Sequence, residues 1–469
     1  MNTDAKGHKS KVAGQRSRLR SSFDFRLSTL KQRRFSFSTL AAVLVLVLLI
    51  VNAAMMMSYH MKEVPTYDFL AFYTAGRILN EFGPSVLYSL ETQRALHREI
   101  EPLTDQRPLW AYLNPPFVAL LFAPLALMSY RAAYILMALV NLMLLIAALL
   151  IGTRSQSREM RWLCTLGTLA TVPAYYAFYN GQLVCLLLLI FALLLHDLQR
   201  GHDWRAGVWL ALLLMKPQVI VVPVLLLAWK RRFKTLSVAA VVAAALGLVS
   251  FAMVGLAGAR EYWQVMQMSV TNDPKLAFYA ETMHNWRGFF LRADLSKWTT
   301  LATVGACAAT LALLFWIWRG RWQPDPQKLI ALIFAALLVS PHCHWHDYVL
   351  IGLVFALLVP LVKDSSTMWL IAATFALASW ASLWLPNNFS AVHLIAVASL
   401  LTIGLIVKPT KLNYGIADGH KDTKAQREMK GTWCLRVLVA IFGGERRFLY
   451  DQENMSPQAQ NLSGASVLD

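Results

Sequence analysis

Five polar places in this sequence stand apart from its basic ends and loops: Asp68, Gln182, Lys216, Arg287 and the stretch Ser340-Pro341-His342-Cys343-His344-Trp345-His346-Asp347. Each holds a residue type that can do chemistry. A carboxylate ionised near neutral pH can take the proton of a hydroxyl, the work of a general base. An ammonium fixed beside a departing group can stabilise the negative charge that builds there. Asp68 heads a segment whose Phe69, Phe72, Tyr73 and Gly76 fall on one side and Arg77, Asn80 and Glu81 on the other. That spacing predicts an amphipathic helix lying along a membrane surface. Two roles compete for Asp68. It is either a first-turn acid, favoured by the helix dipole behind a Thr66 cap, or a base for a hydroxyl acceptor at the membrane face.

Lys216 lies in Met215-Lys216-Pro217, where the apolar run from Trp204 to Trp229 is broken between two basic flanks. The break predicts two short helices with Lys216 at their apex, an expensive place for a cation without a partner. The alternating His342, His344 and His346 suit contacts to phosphate or sugar better than a metal site. No cofactor is called for, although a divalent metal would be compatible with them.

The positions around these residues are membrane helices. With 57% hydrophobic residues, 15% charged residues and a mean hydropathy of +0.47, the composition excludes an ordinary soluble globular protein. Apolar runs near the roughly 20 residues that cross a bilayer recur from Ser38 to Val407, which predicts one all-α, polytopic bundle. The net charge of +18 sits in the two ends and in short loops, a pattern that orients membrane proteins and argues against nucleic acid as a partner. The five cysteines are scattered, with no disulfide or zinc spacing.

Placing basic clusters in the cytoplasm gives a full topology. Residues 1–36 form a basic, disordered cytoplasmic tail, 37–409 the membrane domain and 410–469 a second basic cytoplasmic tail. The first span, Ser38 to Met57, reads as an uncleaved anchor. Loops 58–130 and 256–297 are external; the first carries a second amphipathic piece, Ser89 to Ile100, expected to rest on the bilayer. The run after Pro115-Pro116, interrupted by Pro124, reads as re-entrant. Further spans are expected over 132–151, 162–179, 182–198, 236–254 and 298–318, then from 328 to 407. In this arrangement Asp68, Gln182, Lys216, Arg287 and the histidines share the outer face. Transporters place ionisable pairs near the midplane, often between repeated halves, and neither feature is present. Polar groups at one interface suit chemistry on a lipid headgroup.

The order Tyr67-Asp68, Gly83-Pro84 with Leu87-Tyr88, Tyr112 with Pro115-Pro116, Pro124-Leu125, Gly181-Gln182, Gly207 with Lys216, and Ser340-Pro341 resembles the family-87 glycosyltransferases over roughly residues 37–407. The resemblance implies a C-type glycosyltransferase (GT-C) fold with external juxtamembrane helices. It implies transfer of a hexose, typically mannose, from a polyprenyl phosphate to an acceptor hydroxyl outside the cytoplasm, with inversion and no nucleotide-binding domain. Asp68 becomes the general base, which decides between its two roles. Lys216 would meet the leaving phosphate, and Gln182, Tyr112, Arg287, His344, His346 and Asp347 would contact substrate or phosphate. The histidine stretch departs from a version with two adjacent histidines, and its register admits either His346 or the His344/Asp347 pair. The implied partners are the lipid-linked donor, a glycan or glycolipid acceptor and membrane lipid, in the plasma (inner) membrane with both termini cytoplasmic. The rival class is a carrier or flippase for lipid-linked saccharides, and a third is an accessory subunit of an envelope-polymer system.

Overall fold

The computed structural model describes residues 37–58, 68–102, 107–362, 364–384 and 391–406, all within the first of two compact units, Met1–Leu412. The two tails and Thr66 lie outside the described residues. Among the described residues the fold is helical, relieved only by an isolated parallel bridge between Leu109 and Leu276. Among the described residues five helical stretches are long and apolar enough to cross a membrane: Phe37–Ser58 (α1), Tyr130–Gly152, Phe233–Thr271, Thr299–Ile317 and Trp345–Val362. Shorter apolar helices, Pro217–Trp229, Pro326–Val339 and His393–Leu405, accompany them. The chain is an all-α polytopic membrane protein.

After α1 come Asp68–Glu81 (α2) and Leu90–Ile100 (α3), the latter capped by Ser89, whose hydroxyl accepts from Thr92 N. Both helices were expected on the bilayer surface, and the structure places them differently. Phe69 to Gly76 and Ile78 of α2 are buried on every side, Phe72 stacks on Phe122 at 4.7 Å, and Tyr73 Oη donates to Met128 O at 2.7 Å. The cause is the segment after Pro115. It forms a single turn, Pro116–Ala119 (α4), and a 3-10 turn, Leu125–Leu127, and folds over the face of α2 that the sequence left apparently open. A Cβ on Gly76 would collide with the Phe122 carbonyl, so glycine sets how closely the two segments approach. Leu96 of α3 is likewise buried in protein, and Arg77 joins α2 to α3 by pairing with Glu81 and Glu99 at 2.6 and 2.8 Å.

Tyr130–Gly152 (α5) is one uninterrupted helix, but the span expected over 162–179 is two helices, Arg158–Leu169 (α6) and Val172–Tyr179 (α7). Thr171 caps α7 and Pro173 occupies its first turn, a start signal inside an apolar run. The backbone groups released by this break are claimed from both sides. Asn52 of α1 donates to Leu169 O and Thr171 O at 2.7 and 3.2 Å. Trp380 Nε1 donates to Ala170 O at 3.2 Å, and Ser379 Oγ accepts from Val172 N at 3.1 Å.

Val184–Arg200 (α8) leads into Asp203–Leu212 (α9), and two 3-10 turns flank Lys216 before Val221–Trp229 (α10). Asp203 at the start of α9 is hydrogen-bonded by Arg232 just beyond α10, so the two short helices form a hairpin with Lys216 at the far end, as the proline break predicts. Gly207 lets α9 approach the next helix, Phe233–Thr271 (α11): a Cβ there would lie 2.6 Å from Thr235 O. The segment after Val254, expected as loop, continues as helix to Thr271 beyond a kink at Gly255 (φ 65°, ψ −169°). Trp286–Arg292 (α12), Thr299–Ile317 (α13), Pro326–Val339 (α14), the 3-10 turns Trp345–Leu350 running into Ile351–Val362 (α15), Ser365–Ala381 (α16) and Ala391–Ile406 (α17) complete the bundle.

Candidate active site

Four breaks in helical structure converge on Asp68. The first is the start of α2 itself, pinned by Phe69 N donating to Asn180 O at 2.9 Å. The second is the α7–α8 turn that supplies this carbonyl. Gly181 there has φ +59°, and a Cβ on it would lie 2.6 Å from Phe69 Cβ, so only glycine allows the turn to press against α2. Two residues inside α5 brace the turn: Asn141 Nδ2 donates to Gln182 O at 2.9 Å, and Tyr134 Oη donates to Tyr179 O at 2.6 Å. The third break carries Lys216, and Asn114 Nδ2 holds it by donating to Met215 O at 2.8 Å. The fourth is the Ser340–Asp347 stretch, fastened to the loop before α12 by Asn285 Nδ2 donating to Ser340 O and His284 N donating to Cys343 O, each at 2.7 Å.

The side chains form a chain of contacts. Asp68 is hydrogen-bonded by the Gln182 and Asn180 side chains. His346 Nδ1 lies 4.0 Å from Asp68 Oδ2 and 3.3 Å from Asn180 Nδ2. On its other side His346 Nε2 lies 3.4 Å from Lys216 Nζ and 3.6 Å from Asp347 Oδ2. Lys216 makes an ion pair with Asp347, and both side chains are less than a tenth exposed. Asp347 Oδ2 also accepts from His344 N at 2.9 Å. Lys216, expected as a lone cation, therefore has an acid partner 131 residues away in the chain.

Asp68 retains 23% exposure because it faces a cavity of about 840 Å³. Burial raises its pKa, against the opposing pull of the Gln182 hydrogen bond and the Lys216 charge, while the Asp347 charge pushes it up further. A carboxyl tuned upward is, once ionised, a better proton acceptor than an ordinary aspartate. Burial drives His344 down to about 4, and His342 well below its ordinary value, so both are neutral hydrogen-bonding groups near neutral pH. Among the described residues no three His, Cys, Asp or Glu side chains come together as a metal site.

The predicted site residues thus separate. Asp68, Gln182, Lys216, His346 and Asp347 form one cluster, with His344 beside it, its Nδ1 3.4 Å from Thr282 Oγ1. In this arrangement His346 lies between Asp68 and Lys216, while the His344 N–H to Asp347 hydrogen bond closes the turn. Tyr112 lines the cavity, but its hydroxyl donates to Pro115 O at 3.0 Å and its ring sits edge-on to Phe72, so it shapes the wall. Arg287 lines the cavity apart from the cluster, with one guanidinium nitrogen donating to Val270 O at 2.9 Å. Asn180 was missed, its only sequence signal being the turn Asn180-Gly181-Gln182.

No curated protein matches the chain. The model of glycosyltransferase family 87 matches residues 112–341, a stretch that includes the Gln182 turn, the Lys216 apex and Ser340-Pro341 and ends just short of His344. Helices able to span a membrane, a cavity that joins a buried-side carboxylate to an imidazole and an ion pair, and this match lead to one assignment: residues 112–341 match glycosyltransferase family 87, and the protein is a membrane glycosyltransferase.

Proposed function

We propose that the protein moves a hexose, mannose in the first instance, from a polyprenyl-phosphate donor to an acceptor hydroxyl at the external face of the plasma membrane, on a GT-C scaffold. The observation that carries this reading is Asp68, a carboxyl with raised proton affinity that faces the cavity beside His346 and the Lys216–Asp347 pair. Asp68 takes the proton of the acceptor hydroxyl. The freed oxygen attacks the anomeric carbon, the bond to the donor phosphate oxygen breaks, and its electron pair leaves with the phosphate, inverting the centre. Because Asp347 already balances Lys216, the ammonium acts as a fixed hydrogen-bond donor to the departing phosphate more than as a bare charge. Gln182 and Asn180 hold the carboxylate, and His346 links it to the pair.

Lipid as the donor's carrier is supported by the apolar wall that Met55 of α1 and Leu383 beyond α16 contribute to the same cavity. The external placement is supported by the basic residues Arg154, Arg158, Arg200, Arg205, Arg231 and Lys234, which border helix ends away from the cluster, since such residues favour the cytoplasm.

Purified protein given polyprenyl-phosphate [14C]mannose and a glycan acceptor should release label from the lipid, and Asp68→Asn should slow release by roughly 10²–10⁴-fold while still inserting and binding donor. A carrier would instead move the lipid-linked sugar across vesicles with its sugar–phosphate bond intact, and would be indifferent to Asp68→Asn. Transfer by Asp68→Asn at the wild-type rate would remove the general base and this reading with it.

A further inference from the structure

The cavity is larger than one sugar and one phosphate require, and its wall changes chemistry from one end to the other. Near α1 and α16 it is apolar and aromatic, with Met55, Tyr175, Tyr179 and Leu383. The other end is roofed by two external segments joined at the Leu109–Leu276 bridge, where Leu109 N donates to Lys275 O and Ala277 N to Leu109 O, both at 2.9 Å. This pairing sets Trp110 edge-on to Tyr279, ring centroids 6.2 Å apart, and brings Phe278 to stack on His342 at 4.7 Å. Arg107 and Arg287 line the same end, and neither has a carboxylate partner among the described residues. Among the described residues Asp68 is the only acid on the cavity wall, and Asp347 balances Lys216. The roof therefore combines aromatic rings with two uncompensated guanidinium groups.

Aromatic faces and edges pack against the C–H surface of a sugar ring, and guanidinium forks hold phosphate or carboxylate in two-point contacts. A neutral glycan would leave the two arginines unanswered; a bare phosphate would leave the rings unused. We infer that this roof is the acceptor site and that the acceptor is a glycan carrying a negative group, phosphate or carboxylate, close to the sugar that receives the hexose. The word acceptor rests on the transferase reading above; the anionic-sugar site does not. The donor lipid occupies the opposite, apolar end, and Asp68 stands where the two meet.

Equilibrium binding to the purified full chain in nanodiscs tests this with four probes: mannose 6-phosphate, mannose, inorganic phosphate and geranyl phosphate, the last standing in for the donor lipid. Mannose 6-phosphate should bind about tenfold tighter than mannose and tighter than inorganic phosphate, and saturating geranyl phosphate should leave its affinity unchanged. Arg287→Gln should lose that gain while binding mannose as before, and Arg287→Lys should recover part of it. Trp110→Leu should weaken both sugars, with Trp110→Phe close to wild type. Transfer by Asp68→Asn at the wild-type rate would defeat the transferase reading, whereas the probe affinities of the unaltered chain test the anionic-sugar site alone. The inference is overturned if mannose 6-phosphate binds no tighter than mannose, if geranyl phosphate displaces it, or if a folded Arg287→Gln protein keeps the preference.

Discussion

The ion pair between Lys216 and Asp347 changes what a substitution at Lys216 should do. A lone buried lysine would be relieved by methionine; a paired one leaves Asp347 charged and buried, which typically costs about 3–5 kcal/mol. Lys216→Met should therefore lower thermal stability, and Lys216→Met with Asp347→Leu should restore much of it without restoring transfer. The single variant should also move the acid limb of the transfer rate to higher pH, because Lys216 holds the Asp68 pKa down and the uncompensated Asp347 raises it. A limb that stays in place would separate Lys216 from Asp68 electrostatically. At this scale the sequence exposes residue types but not partners. Asp68 and Lys216 could be picked out as charges in apolar surroundings, whereas the Asp347 contact spans a sequence distance over which no local pattern carries information. Arg287 was legible as a polar loop residue, yet nothing in its neighbours separates it from the cluster.

Among the elements, the helix breaks matter more than the helices. Gly181 and Gly83 both have positive φ, 59° and 85°, but only Gly181 abuts another segment. Gly181→Ala should push Phe69, and with it Asp68, out of place, lowering transfer at least about tenfold beyond the roughly 1–2 kcal/mol of backbone strain. Gly83→Ala carries similar strain with open space around it, so its turnover should stay near wild type while its melting temperature falls. Equal turnover in both variants would mean that the Gly181 contact does not position Asp68. Proline and periodicity made the Lys216 hairpin and the broken 116–128 segment readable in the sequence. The α6–α7 break had its signal too, Thr171 and Pro173, hidden because the run around them is long enough and uncharged enough to read as one span. The helical course of 256–271 had none: the single Gly255 resembles any loop glycine, and the polar residues beyond it suggested an exterior loop. The burial of α2 was unreadable for another reason, since the segment that covers it is itself irregular.

For the whole molecule, composition and charge were enough to read an all-α membrane bundle, and the same charges carry the proposed orientation. In a cysteine-free background, a membrane-impermeant thiol reagent should label a cysteine at position 98 in intact cells and leave one at position 234 untouched; the reverse pattern would invert the proposed topology. The buried histidines of the loops and of α3 give a second global property. Burial lowers His97 and His344 to about 4 and holds His284 and His342 well below 6.5. The unfolded chain takes up these protons near pH 6.5 while the folded one refuses them, so stability is present above that pH and is lost as pH falls toward 4. Asp68, whose carboxyl is raised, opposes this with a single group. The detergent-solubilised protein should melt lower at pH 5 than at pH 7.5, and an unchanged melting point would show that these rings are hydrated. The break between α6 and α7 also has a consequence for how the chain is made. Its carbonyls are claimed by Asn52, synthesised early, and by Trp380, synthesised after most of the bundle. In hydrocarbon such groups find no water to satisfy them. Until the ribosome has passed residue 381, α6 and α7 must wait at the translocon's polar edge or cling to α1 alone, so a chain truncated before α16 should be recognised by quality control even though every earlier span is complete.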